Sequence, residues 1–325
     1  VANTTGTKNV AVGSSSLDEC TTGSYNTGIG TSALTSVTTG GENTGVGLNS
    51  GQEITTGANN TFVGSGSGQY TTTAQNNTAV GQDCFKNNTT GTQNVAFGQN
   101  ALNDAVTVNN NTAIGYNALA VTTIGDNTAV GSESMAATTT GTYNTAIGKS
   151  SMVANTTGAN NVAMGAFALD ANTTGANNTA LGYEALGKAT TGGDNVAVGR
   201  AALLDVTTSA DNVAVGVEAL ENNTGARNVG FGKQAGRPNT SGNDNTTIGT
   251  YAGDNLTTGS QNILIGVSTS ASAVGGTNQI VMGYNVTGNA NGSFCFGDGT
   301  TDSAIANGAT SITAPSDVRL KEDIQ

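Results

Sequence analysis

Residues 26–30 read Asn-Thr-Gly-Ile-Gly, residues 43–47 read Asn-Thr-Gly-Val-Gly and residues 144–148 read Asn-Thr-Ala-Ile-Gly. The string Asn-(Thr/Val)-(Ala/Gly)-apolar-Gly recurs along almost the whole chain. Its Asn falls at Asn9, Asn26, Asn43, Asn60, Asn77, Asn94, Asn111, Asn127, Asn144, Asn161, Asn178, Asn195, Asn212, Asn228, Asn245 and Asn262. Successive copies stand 17 residues apart, with gaps of 16 at Asn111–Asn127 and Asn212–Asn228. A period held that strictly means one short unit stacked on itself many times. It also argues against a compact enzyme, because no region escapes the repeat to build a private pocket.

The apolar and polar positions define the unit. Counting the Asn as first, the fifth residue is always Gly and the fourth always apolar, from Val12 and Ile29 to Ile248 and Ile265. The ninth is usually Leu or Met (Leu17, Leu34, Leu102, Met135, Met152, Leu203), with Gly51, Gly68, Gly236 and Gly253 among the exceptions. Most units close on Thr-Thr-Gly, as at Thr21-Thr22-Gly23. Val, Ile and Thr favour extended backbone, while Gly and Asn tolerate the left-handed conformations of tight corners. The expected fold is all-β, a parallel β-solenoid whose 17-residue rung holds two short strands and two turns. Runs such as Ala201-Ala202-Leu203-Leu204 are too short for more than one helical turn.

Alternation along the strand puts the third and fourth residues on opposite faces. The large fourth residue is expected to fill the coil, and the small third residue to mark a face where partner chains pack. Sixteen coils at roughly 4.8 Å would make a rod of about 75–80 Å. So thin a coil buries little against the cost of ordering its backbone, which predicts association into a homotrimer.

Composition narrows the partners. Of 325 residues, 48 are Gly, none is His or Trp and only 10% are charged. A formal charge of −12 argues against nucleic acid, whose phosphates need clustered Lys and Arg. Absence of His removes the commonest general base and metal ligand, and no cofactor is expected. Cys20, Cys84 and Cys295 are scattered across registers, which reads as small buried fillers and not a disulfide framework. No run of 18 apolar residues occurs, so no membrane insertion is expected. Val1 opens directly into repeat sequence, so the chain reads as a piece of a longer polypeptide.

The repeats over about residues 3–284 resemble the head domains of trimeric autotransporter adhesins, whose left-handed parallel β-rolls use similar Asn-Thr-Ala-Ile-Gly strings with a shorter period. The C-terminal string Ser316-Asp317-Val318-Arg319-Leu320-Lys321-Glu322-Asp323-Ile324 resembles a different element. It is similar to the start of the endosialidase-type, auto-cleaving intramolecular chaperone at the ends of phage tail spikes and tail fibres. That resemblance implies a trimeric chaperone that drives shaft assembly and then cuts itself off between Ser316 and Asp317. It makes Ser316 the nucleophile and Lys321 its base, since a Ser hydroxyl is a weak nucleophile without one. The family's chaperone runs for a hundred or more residues, and cleavage is expected where that full chaperone is present.

Three segments are expected: a repeat shaft over 1–277, a distal cap or tip over 278–315 where the register breaks, and the beginning of the chaperone over 316–325. In the tip, Tyr284, Phe294 and Phe296 gather as a candidate contact for a host cell-surface glycan or protein receptor, although plain end-capping is the simpler role. Acidic residues just before the repeat Asn (Glu42, Asp126, Asp194, Asp211, Asp244) read as solvated corners, too sparse for paired-carboxylate glycoside hydrolysis. No fixed Asp recurs in every copy as calcium-binding repeats require, and adjacent Thr-Thr does not make a flat ice-binding array. The functional expectation is the structural shaft and receptor-binding part of a trimeric phage tail fibre, displayed on the virion and not an enzyme apart from self-cleavage. The alternative is an adhesin head on a bacterial surface.

Overall fold

A computed structural model describes residues 2–305 as an all-β parallel solenoid. The chain divides into two compact units, Val1–Gly175 and Ala176–Gln325. In the first, strands β1 to β10 are Val10–Val12, Thr27–Ile29, Thr44–Val46, Thr61–Val63, Thr78–Val80, Val95–Phe97, Thr112–Ile114, Thr128–Val130, Thr145–Ile147 and Val162–Met164. In the second, β11 to β16 are Thr179–Leu181, Val196–Val198, Val213–Val215, Val229–Phe231, Thr246–Ile248 and Ile263–Ile265, followed by β17 (Ile280–Gly283), β18 (Phe294–Gly297) and β19 (Ser303–Ile305).

Within each unit, equivalent residues of consecutive rungs stand in register, as in Thr27↔Thr44, Gly28↔Gly45 and Ile29↔Val46. The 16-residue rungs keep this register (Thr112↔Thr128, Val213↔Val229), so the missing residue is taken up in the turns.

Each rung carries one strand and not the expected two. Beyond the fifth residue the chain enters left-handed backbone at alternate positions, as at Ser32 (φ 56) and Leu34 (φ 53), which extended structure cannot accommodate. Rungs still bond to one another through these turns: the Leu34 N–H donates to the Ser50 carbonyl at 3.0 Å and the Thr38 N–H to the Thr55 carbonyl at 3.0 Å. The fifth-position glycines have φ near +130, and a Cβ on Gly30 would lie 2.4 Å from the Gly47 carbonyl oxygen. Only Gly fits that column.

The expected sense of the strand is reversed. Ala79, Ala96, Ala113, Ala129 and Ala146, all third residues, are fully buried or nearly so, while the apolar fourth residues point outward. The interior is too narrow for both: a Cβ on Gly45 would lie 2.8 Å from Leu34 Cγ. The ninth-position Leu fills the coil, and only Ala or Gly fits beside it. Leu34 and Leu102 are fully buried despite left-handed backbone, which costs a non-Gly residue roughly 1–2 kcal/mol. Burial of about 1.5–3 kcal/mol for such a side chain offsets this.

The exceptional rungs show the same limit. Where the ninth residue is Gly51 or Gly68, the third residue between them is Phe62, fully buried, with its ring against both glycines. Gly236 and Gly253 likewise flank Thr247.

The repeat Asn forms a buried ladder. Asn144 Nδ2 donates to the Gly158 carbonyl at 2.8 Å, and Asn144 Oδ1 accepts from the Asn161 backbone N–H at 3.0 Å and from Asn161 Nδ2 at 3.2 Å. In the second unit the ladder passes from Asn245 to Asn262 and on to Gln279, whose N–H donates to Asn262 Oδ1 at 3.1 Å. The register therefore does not slip at Asn278. Gln279 takes the ladder place, and β17 stands on β16 with Ile263↔Ile280. The rung shortens only afterwards, where Ile280 pairs with Phe294 in parallel, and β19 then closes on β18 antiparallel (Phe294↔Ile305).

Candidate binding surface

The second and fourth residues of the repeat share the outer face of the sheet. In the first unit Ile29 is 40% exposed and Phe97 is 56% exposed, and in the second Phe231 is 55% exposed. From Val46 to Met164, and from Leu181 to Met282, no fourth-position side chain is buried. The second position holds only Thr, Val or Ile from Val10 to Ile263. The face thus contains no ionisable group on a chain of net charge −12.

Charge is carried elsewhere. Glu42, Asp126, Asp194, Asp211 and Asp244 are exposed and sit at left-handed corners. In the second unit, acids and bases pair between rungs: Lys188 with Asp205 at 2.6 Å, Arg227 Nε with Asp244 at 2.7 Å, and Arg200 with Glu218. The hydrogen bond from Arg227 holds the Asp244 carboxyl below its ordinary range. Glu218 is lowered first by the amide of Gln234 and then by Arg200. These groups are solvent-screened stack pairs and not a catalytic cluster.

The Thr column is also committed to structure. The Oγ1 of Thr38 donates to the Thr55 carbonyl at 3.2 Å, and that of Thr139 to the Thr156 carbonyl at 3.1 Å. All three cysteines are free and buried. Cys84 occupies a column held in the other repeat rungs by Ser, Ala or, at Thr269, Thr, and burial pushes its thiol up to about 12.

At the tip, Phe294 and Phe296 face the same way from β18, with ring centroids 5.3 Å apart, and Cys295 between them points inward. They extend the outer apolar face. Tyr284 is 64% exposed and is joined to that strand by its backbone N–H, which donates to the Gly297 carbonyl at 3.3 Å. Ser316, Asp317 and Lys321 lie outside the described residues. Among the described residues no group of three His, Cys, Asp or Glu side chains could hold a metal ion, and no helix is long and apolar enough to cross a membrane.

In comparisons with known proteins, no family model and no curated protein matches the chain. The outward fourth residue was hidden in the sequence, although the flanking of Phe62 by Gly51 and Gly68 carried the signal. Third and ninth positions that exchange bulk must share one interior.

Proposed function

We propose that the chain is the structural shaft and attachment part of a homotrimeric phage tail fibre, assembled through a C-terminal chaperone and displayed on the virion. The observation that carries this reading is the uncharged apolar face repeated on rung after rung. A strip three residues wide and ten rungs long covers roughly 480 Å² in the first unit. The eight parallel strands of the second unit add about 380 Å². Their sum, about 860 Å², slightly exceeds the ~800 Å² per partner of a standard specific interface. A second copy suits the face because acidic chains can meet there without facing carboxylates. Three copies around an axis parallel to the coils would place each rung against the same rung of its neighbours.

Apart from self-cleavage at Ser316–Asp317 where the full chaperone is present, with Lys321 as base, the chain acts by binding a host cell-surface glycan or protein receptor. An adhesin head would use the same face, but the Ser316–Ile324 string favours the phage reading.

Sedimentation of the chain should give about three times the 31.9 kDa of one copy. Phe97→Glu with Ile147→Glu should yield monomers, because each would bury carboxylates at the interface. A stable, folded monomer of the unsubstituted chain removes the trimer. Self-processing of the chaperone-bearing chain that persists in Ser316→Ala removes the dyad, and with it the reason to prefer phage over adhesin.

A further inference from the structure

The first unit carries a cleft of about 320 Å³ lined by Asn100, Asn103, Asp104, Asn117, Ala120 and Ala136. It arises from one column of the repeat. The tenth position of a rung usually bears a longer side chain, such as Gln52, Gln69, Lys86 or Asn103, but Ala120 and Ala136 follow in succession and leave a notch. The seventh-position column borders it. There Asp83 is engaged by Lys86 at 3.0 Å and Glu133 by Ser150 at 3.2 Å. Between those two carboxylates, the side-chain amides of Asn100 and Asn117 bond to no other described residue. They stand one rung apart, roughly 4.8 Å. The rest of the rim is held in place: Asn103 Nδ2 donates to the Asp83 carbonyl at 2.8 Å, and Asp104 Oδ1 accepts from Asn87 Nδ2 at 2.8 Å.

We infer that this cleft binds a neutral saccharide of one or two rings. An amide both donates and accepts, which matches a hydroxyl that does the same. The lining contains no cation, and Asp104 repels anions, so phosphates and acidic sugars are disfavoured. The volume lies at the small end of ligand sites. The apolar methyls of Ala120 and Ala136 leave room for the C–H face of a ring, and the amides fix its hydroxyls. The role in attachment rests on the fibre reading above, whereas the binding itself does not.

The test is saturation-transfer difference NMR on the whole chain with the methyl glycosides of glucose, galactose and N-acetylglucosamine and with their disaccharides. At least one should receive saturation. Asn100→Ala with Asn117→Ala should weaken that binding at least tenfold. Ala120→Gln with Ala136→Gln should abolish it by filling the notch. That second pair tolerates folding, because Gln52 and Gln69 hold the same position in other rungs. If none of these sugars binds, or if binding survives the Gln pair, the site is wrong. A monomeric chain that binds sugar keeps this site and overturns the trimer. A trimer that binds none of these sugars does the opposite.

Discussion

A single glycine can report on the whole cross-section of a coil. Gly68 has φ 58, and a Cβ added to it would meet the Phe62 ring at 2.5 Å. In most rungs the same place holds Leu or Met in the same left-handed backbone, so conformation does not forbid a side chain there; Phe62 does. Gly68→Leu should therefore destabilise the first unit by overpacking, about 1–3 kcal/mol. Phe62→Ala alone should cost about 3–5 kcal/mol through the cavity it leaves. The double substitution restores the common pattern of small third residue and large ninth residue, and should be more stable than either single change. Urea midpoints of the four proteins give the coupling directly. Strict additivity would mean that the two side chains do not share one interior. The same competition explains why the face of the strand was not legible in the sequence. Alternation separates the third and fourth residues onto two sides, but the inward side is decided by the ninth residue, which reaches across the coil from a turn. Hydrophobicity alone pointed the wrong way, because Ile29 is larger than Gly28 and lies outside.

At the scale of the rung, the recurring element is a strand of three residues held by ladders of side chains and turns. The 17-residue period, the parallel stacking and the all-β class were legible because each equivalent residue meets its counterpart one rung away, and any ladder therefore prints itself as a repeat. The role of Asn was only half legible. Its tolerance of corners was a reason to find it in a turn, yet the left-handed corner is the preceding residue, as at Tyr143 (φ 57), and Asn144 itself is buried with its amide bonded. The tip misled for a related reason: Asn278 looks like the repeat Asn, but Gln279 makes the ladder bond. Asn144→Ala would strip the Asn161 N–H of its partner inside the coil, while the Gly158 carbonyl keeps the amide of Asn155. At roughly 1–3 kcal/mol for an orphaned group, the loss should be about 1–3 kcal/mol. Hydrogen exchange should locate the damage at the rungs on either side, since a stacked array transmits instability mainly to its neighbours. Unchanged protection of the Asn161 amide would show that the ladder bond contributes nothing.

For the molecule as a whole, the face proposed for assembly and the charge of the chain pull in opposite directions. Each copy carries −12, and the charged side chains of the described residues lie on corners and turns, while the second and fourth positions of the repeat carry none. Bringing three copies together thus gains apolar burial and incurs long-range repulsion between corners. Between about 0.01 M and about 1 M salt the screening length falls from roughly 30 Å to about 3 Å, which removes the repulsion and leaves the apolar term intact. Association should therefore tighten with added salt, read as a lower dissociation midpoint in sedimentation. Lowering the pH through the carboxylate range should act in the same sense, by protonating the exposed corner acids. Asp244 and Glu218 should be among the later groups to protonate, since their partners hold them below the ordinary range. An assembly built on ion pairs between copies would instead loosen with salt. That outcome would move the interface from the apolar sheet face to the charged corners.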